Sequence, residues 1–366
     1  MKTDVVIVGG GLLGSLLAWR LARSGTRVRL FEQAAEETPV AAAHTAAAMI
    51  APYSERPLCH PEVFELGCRS LDLWPQLIHD LLQDTGIAVT YRTQGSLLVA
   101  HPADEAELQQ FEQQLRHHHL QSHSAVQAIC GDQLRTLEPD LAAHFERGYW
   151  LTEEAQVDNR TLIPALHLAA REAGAALHFL SPLSHIDGRW YSNDGDIDAQ
   201  LVIDTRGVGA RRELSGLRGV RGETLWVECP QIDIRRPVRL LHPRYHLYLV
   251  PRGEGRYQLG ATEIESEDRS PVSVRSAMEM LSALWTLVPE MAEARILSME
   301  TNLRPAMTDH LPVIRYQGER TLQINGLFRH GYLLAPALLE WAQQDFGLNL
   351  GIGQVSLHKE SSWIAC

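Results

Sequence analysis

The stretch from Asp4 to Glu32, DVVIVGGGLLGSLLAWRLARSGTRVRLFE, leaves few folds open to the chain. The β-branched run Val5 to Val8 predicts a strand, and Gly9, Gly10, Gly11 and Gly14 complete a G-x-G-x-x-G spacing where helical periodicity begins. Gly9 permits a sharp turn, Gly11 lets the backbone approach a pyrophosphate, and Gly14 lets helix and strand pack closely. Phosphate charge then meets a helix that starts at Leu12 and Leu13, where free N–H groups and the dipole favour an anion. A second strand, Val28 to Phe31, delivers Glu32, followed by Gln33, 18 residues after Gly14, where a carboxylate can accept both hydroxyls of a ribose. Lys2 before an apolar run also suggests a secretory signal. Arg20, Arg23, the glycines and the lack of a small-residue cleavage site speak against it.

A length of 366 residues suggests two domains, each with a substantial core. No run of 18 or more apolar residues is free of charges and glycines, so no membrane span is expected. A net charge of -12 disfavours a nucleic-acid partner. Cys59, Cys68, Cys130, Cys229 and Cys366 are scattered, with no C-x-x-C, which reads as reduced thiols in a cytoplasm and neither a disulfide framework nor a zinc site. His117, His118 and His119 point in different directions on a predicted helix, so no metal site is assigned.

Ala34 to Glu55 is a small-residue tract that permits close approach to something flat and large, or tight helix packing. Within it, Ala46-Ala47-Ala48-Met49-Ile50-Ala51-Pro52 and Glu55 resemble the segment of the glycine oxidase and D-amino-acid oxidase family of flavoenzymes that lies against the isoalloxazine ring. Ala48 replaces the family's usual glycine. The resemblance implies non-covalent FAD contacted by His44, Thr45, Ala46, Ala47, Ala48 and Met49. The histidine that carries covalent flavin in some relatives falls at Thr45, so His44 is taken as a nearby polar residue.

Further on, Pro61 to Leu82 has a helical apolar stripe and is assigned to an inserted domain. Val89 to Tyr91 and Ser96 to Ala100 read as strands around a Gln94-Gly95 turn, and Ala103 to His119 as a polar-faced helix. Arg160 to Ala173 is amphipathic, and Leu201 to Asp204 reads as a strand ending in Thr205-Arg206-Gly207. The resemblance places Gly207 in a nucleotide-side turn, makes Arg206 an unusual occupant, and puts Leu183 near the adenine. Tyr245 to Pro251 and Arg256 to Thr262 predict a hairpin, with His246 and Tyr248 on one face. By resemblance Tyr248 binds substrate, with His246 nearby. Glu263 either recruits a cationic group or points to solvent. Asn302-Leu303-Arg304-Pro305 and Thr308 to Ile314 resemble the family's carboxylate-gripping signature, which suits Arg304 because a guanidinium offers paired parallel donors. Arg329 matches an arginine near the substrate. His330, Gly331, Tyr332, Leu333 and Leu334 match a segment whose N–H groups face the flavin.

The fold these features imply is α/β: a discontinuous Rossmann-like FAD-binding domain with an inserted α+β substrate domain built on an antiparallel sheet. The expected bounds are 1–60, 151–215 and 305–366 for the first, and 61–150 and 216–304 for the second. The implied activity is oxidative deamination of a small amino acid or secondary amine (glycine, sarcosine or a small D-amino acid) to an imine and then a 2-oxo acid, with dioxygen reduced to hydrogen peroxide. Glycine oxidation would fit thiamine biosynthesis. A homo-oligomer is compatible with the sequence. The rivals are a dehydrogenase of the same fold using a quinone or protein acceptor, a tRNA-modifying flavoprotein, and a non-catalytic flavin-binding protein.

Overall fold

The structure, a computed structural model, describes residues 4–244 and 246–351, without the side chains of Asp4 and His246. The expected strand start at Tyr245, the proposed role of the His246 side chain, and the end of the 305–366 segment with Cys366 therefore lie outside the described residues.

Two large sheets organise the chain. The first has six strands, in the order Val313–Gln317, Thr321–Asn325, Leu201–Asp204, Asp4–Val8, Arg27–Phe31, Ala176–His178. Its pairings are parallel except at the Val313–Gln317 edge. Helices Leu12–Arg23, Pro61–Thr85, Asn159–Glu172 and Gly331–Phe346 share one core with this sheet, in which Leu16, Trp19, Leu30, Trp74, Leu166 and Leu338 are fully or almost fully buried. The other side carries a small antiparallel sheet whose Trp190 packs with Val6, Val8 and Val202. Covering both faces explains why Val5 to Val8 is continuously apolar and does not alternate.

The helix from Pro61 to Thr85 departs from expectation. It packs on Gly331–Phe346 and Asn159–Glu172, with Trp74 Nε1 donating to the Tyr332 carbonyl at 3.0 Å and Arg69 pairing with buried Glu340 at 2.6 Å. An apolar stripe says that a face is buried but does not say against what, so this helix belongs with the nucleotide-side layer. The strands on either side of Gln94-Gly95 do not pair with each other. Tyr91–Arg92 pairs with Ala155–Val157, whereas Ser96–Val99 enters the second large sheet.

That second sheet has eight strands, in the order Arg295–Ala306, Arg218–Glu228, Arg256–Gly260, His246–Gly253, Val238–Leu241, Ser96–Val99, Arg147–Leu151, Val126–Cys130. Every pairing is antiparallel except Val238–Leu241 with Ser96–Val99. Side chains alternate between its faces. Leu225, Leu249 and Leu259 form one core with Met280 and Leu284 of helix Val274–Leu287. On the opposite face Leu98, Arg239, Tyr248, Gly260 and Thr224 stand in one cross-strand row. No described helix is long and apolar enough to cross a membrane.

Candidate active site

A cavity of about 1430 Å³ runs between the glycine-rich turn and that row. This exceeds the roughly 300–1,000 Å³ of an ordinary small-molecule pocket, leaving room for a dinucleotide and a second ligand.

At the nucleotide end the three motif glycines do different work. Gly9 has φ +105°, and a Cβ there would lie 2.8 Å from the Thr205 carbonyl oxygen. A Cβ on Gly14 would lie 1.9 Å from the Gly9 carbonyl oxygen. Gly14 thus serves helix-against-strand packing. At Gly11 the nearest neighbour of a Cβ is Ala41 Cβ at 3.4 Å, so the space it keeps free belongs to the cavity and not to protein packing. Ser15 N–H donates to the Gly11 carbonyl, which leaves the N–H groups of Leu12, Leu13 and Gly14 without partners inside the helix. Glu32 closes the turn: Oε2 accepts from Gly10 N–H at 2.6 Å and Oε1 from Ala34 N–H at 2.9 Å. Each oxygen keeps accepting capacity for a further donor. Gln33, Leu183 and Gly207 also line this end. Arg206 is explained by Asp204, which is fully buried: the guanidinium grips it with two 2.8 Å bonds, reaches Glu213 at 3.3 Å and lies 4.6 Å above the Trp190 ring.

In the middle of the cavity the small-residue tract is held from behind by its carbonyls. Asn159 Nδ2 donates to Ala43, His44 and Ala46 at 2.8–3.0 Å. Gln258 Nε2 donates to Thr45 at 2.8 Å, and Arg252 donates to Ala47 and Val157. Asn302 Nδ2 reaches the Val40 and Ala41 carbonyls and the Thr45 hydroxyl. Thr45, Ala46, Ala47, Ala48 and Met49 line the cavity. Among the described residues the N–H groups of Ala47 and Ala48 meet no protein acceptor, although both residues are buried. Ala48 has φ +47°, which shows why a glycine suits this position; an L-residue there costs about 1–2 kcal/mol.

His44, taken as a nearby polar residue, is not among the residues that line the cavity. Its Nε2 faces the Arg160 guanidinium, which also grips Glu300 at 2.6 and 2.7 Å. Burial and the adjacent Arg160 lower the imidazole pKa, so the ring is neutral and accepts from Arg160.

Helix Gly331–Phe346 brings a second N-terminus to the cavity. Leu334 N–H donates to the His330 carbonyl, so the N–H groups of Gly331, Tyr332 and Leu333 have no helical partner, and these residues and His330 are on the wall. Leu334, expected there too, is fully buried among the core helices because its side chain falls on the opposite side of the first turn.

Next to this helix stands an ion cluster. Glu55, 7 % exposed, takes Arg239 at 2.7 Å, Arg329 at 2.8 Å and His330 Nε2 at 3.1 Å. Burial alone would raise the Glu55 pKa, but the Arg329 and Arg239 guanidiniums overcome it and hold the carboxyl well below the usual carboxylate range. Arg329 also pairs with Glu263 at 3.1 Å, so Glu263 is a counter-ion at the cavity edge, neither free to recruit a cation nor simply turned to water. His330 Nδ1 is buried without a partner among the described residues. Sequence reasoning missed Asn159, Arg239, Arg252, Gln258 and Asn302. Asn302 left a signal as the same-face neighbour of Arg304 two positions away, and Arg252 as the end of the Tyr248-Leu249-Val250-Pro251-Arg252 run.

Tyr248 and Arg304 come together over a floor of glycine. A Cβ on Gly260 would lie 2.8 Å from Tyr248 Oη, and one on Gly222 would lie 2.5 Å from Arg304 Cζ. Gly260 is opposite Thr224, two residues along from Gly222, so both side chains lie flat on adjoining parts of one sheet face. Arg304 Nη1 donates to the carbonyls of Thr262 at 2.9 Å and Arg221 at 3.4 Å, and among the described residues no carboxylate pairs with it. Burial lowers its pKa from the ordinary arginine value, partly offset by Tyr248 and Glu263. Burial also raises the Tyr248 pKa, against the pull of Arg304 and Arg239, which keeps a phenol donor beside the guanidinium.

The residues fit FAD: two helix N-termini, an open glycine, unpartnered backbone N–H groups on the small-residue tract and an orphaned imidazole nitrogen all face or adjoin one elongated cavity. Residues 4–343 match the family designated DAO, described as FAD dependent oxidoreductase. The chain is 36% identical over 334 residues to a putative thiamine biosynthesis oxidoreductase ThiO of Rhizobium etli, covering 91% of this chain and 93% of the relative. The crystal structure of glycine oxidase from Geobacillus kaustophilus superimposes with TM-score 0.80 at 27% identity, over 96% of each chain. That of iminodiacetate oxidase from Chelativorans sp. BNC1 gives TM-score 0.81 at 25% identity, over 97% of each chain.

Proposed function

Because the chain belongs to the DAO family of FAD-dependent oxidoreductases, we propose that it oxidises the Cα–N bond of a small amino acid or secondary amine such as glycine, sarcosine or a small D-amino acid. Bound FAD would supply the two-electron redox chemistry, with dioxygen as the final acceptor, and water would hydrolyse the imine product to a 2-oxo acid. The observation that carries this reading is Arg304, a half-buried guanidinium on the cavity wall whose partners among the described residues are backbone carbonyls.

Charge balance supports the same substrate class. On the cavity wall near Tyr248, Arg239 and Arg329 are paired with Glu55 and Glu263, whereas Arg304 has no carboxylate partner among the described residues, which leaves its charge for a substrate carboxylate. Arg304 would grip that carboxylate with its remaining donors, and the Tyr248 hydroxyl would add a third hydrogen bond. Held at that end, the substrate turns its amine and α-carbon toward the small-residue tract, and positioning supplies much of the rate. Arg329, engaged by two carboxylates, acts by holding Glu55 and Glu263 and not as a second carboxylate grip.

The proposal includes non-covalent FAD, cytoplasmic location and the two discontinuous domains given above, with residues 61–85 moved to the first. It also includes a place in thiamine biosynthesis, as the name of the Rhizobium etli relative states for that protein. Mixing the holoenzyme with glycine, sarcosine or D-alanine under nitrogen is expected to bleach the flavin absorbance in a stopped-flow trace. No bleaching with any small amine would overturn the reading. Peroxide formation in air, compared with dye reduction under nitrogen, separates an oxidase from a dehydrogenase.

A quieter substitution probes the same grip. Gly222→Ala places a methyl where the Arg304 guanidinium lies. The displaced group is the end of a flexible side chain, and alanine is easier than glycine to order in a strand, so the fold should tolerate the change. We expect kcat/KM for glycine to fall about tenfold with the thermal midpoint nearly unchanged, a loss of roughly 1.4 kcal/mol of transition-state binding.

A further inference from the structure

Helix Val274–Leu287 has two apolar surfaces. One carries Met280, Leu284 and Leu287 into the core on the sheet face away from Tyr248. The other carries Val274, Met278 and Trp285, which stand at helical spacing on one flank and are exposed by 78 %, 64 % and 62 %. Glu279, on the opposite flank, reaches toward Arg244 at 4.0 Å, just past the end of strand Val238–Leu241. The apolar flank therefore looks the other way, toward the sheet edge formed by Arg295–Ala306. At that edge Met299 and Ile296 stand opposite Leu225 and Val227, which belong to the core beneath the helix, and a register break between these pairs leaves Leu297 without a cross-strand partner. All three edge residues are exposed. Sheet edges are ordinarily charged or covered; this stretch is apolar, and no described element covers it.

We propose that Val274, Met278, Trp285, Ile296, Leu297 and Met299 form the centre of a twofold contact with a second copy of this chain. Area is the first argument. Together these side chains expose on the order of 500 Å² of apolar surface, in the range of the largest patch on a whole monomer and more than half of the roughly 800 Å² that each side of a stable interface buries. Charge is the second. A surface that meets itself gains nothing from a net charge, and this one has none although the chain carries -12: Glu293 and Arg295 at its border are exposed, opposite in sign, and without an ion-pair partner among the described residues. A twofold axis sets residue i against j and j against i, so Glu293 of each copy can meet Arg295 of the other. The row that holds Tyr248 is on the opposite face of the sheet, so the contact leaves the cavity open.

The test is sedimentation of the holoenzyme between about 1 and 100 µM, where a dimer or a larger assembly is expected. Trp285→Lys combined with Met278→Lys, both at exposed positions, is expected to weaken one contact at least about a hundredfold, to a monomer or a smaller assembly, with the flavin spectrum and far-UV circular dichroism unchanged. Arg295→Glu alone is expected to weaken it at least about tenfold by setting carboxylate against carboxylate, and adding Glu293→Arg to recover it, as a contact between two copies requires. A holoenzyme that stays monomeric over this range overturns the inference, whatever other protein binds the face. An assembly that the lysine variant leaves intact overturns it too, because its interface then lies elsewhere.

Discussion

Arg304→Ala is expected to raise KM for glycine or sarcosine at least tenfold while the protein keeps its FAD and its thermal midpoint. The guanidinium donates through Nη1 to two carbonyls, and among the described residues it has no anionic partner. Truncation therefore breaks no ion pair, and removing an unpaired, half-buried cation does not leave an opposite charge stranded. What disappears is a charge-assisted contact to the substrate, worth about 1.5–3 kcal/mol, or roughly ten- to a hundredfold in binding. Arg304→Lys should recover only part of it, because an ammonium keeps the charge and loses the planar fork that matches a carboxylate. An unchanged KM in the alanine variant would show that the carboxylate is held elsewhere. Substrate turnover and flavin retention, measured on one preparation, separate lost grip from lost fold.

The parts of this molecule that were legible in the sequence are those whose physics is local. The first strand, turn and helix are written in adjacent residues, and a Cβ on Gly14 would collide with a carbonyl only five positions away. Tyr248 and Arg304 carried recognisable neighbours, and the structure brings them together over glycines that no periodicity singled out. What stayed hidden depends on distant stretches meeting. The stripe of Pro61–Thr85 says that one face is buried, but its partners come from residues 159–172 and 331–346. His44 could be judged only once Arg160 and Glu300 were in place. Glu263 acquired a role from Arg329, 66 positions away. Side-chain clamps on backbone carbonyls, as made by Asn159 and Gln258, have no sequence pattern because any carbonyl is an acceptor.

Glu55 is the extreme case of that dependence, and its substitution has the largest expected effect on stability. Its carboxylate is shared by residues 239, 329 and 330, so Glu55→Gln leaves two guanidiniums with less than full compensation. Breaking a buried pair from one side costs about 3–5 kcal/mol, and the partial exposure of Arg239 and Arg329 together with the Glu263 contact puts the expected loss near 3 kcal/mol. The pH dependence has a definite sign. Glu55 has a folded pKa well below its ordinary value, so it stabilises fully above roughly pH 4.3, and that stabilisation is lost as pH falls through the folded pKa. The stability gap between the unmodified protein and Glu55→Gln, read from denaturant midpoints, should therefore be widest near neutrality and narrow as the pH drops below 4. A gap that is absent at pH 7 would mean that Arg239 and Arg329 find other anions when the carboxylate is removed. In that case the assignment of Arg304 as the cation without a protein counter-ion beside Tyr248 would need revision.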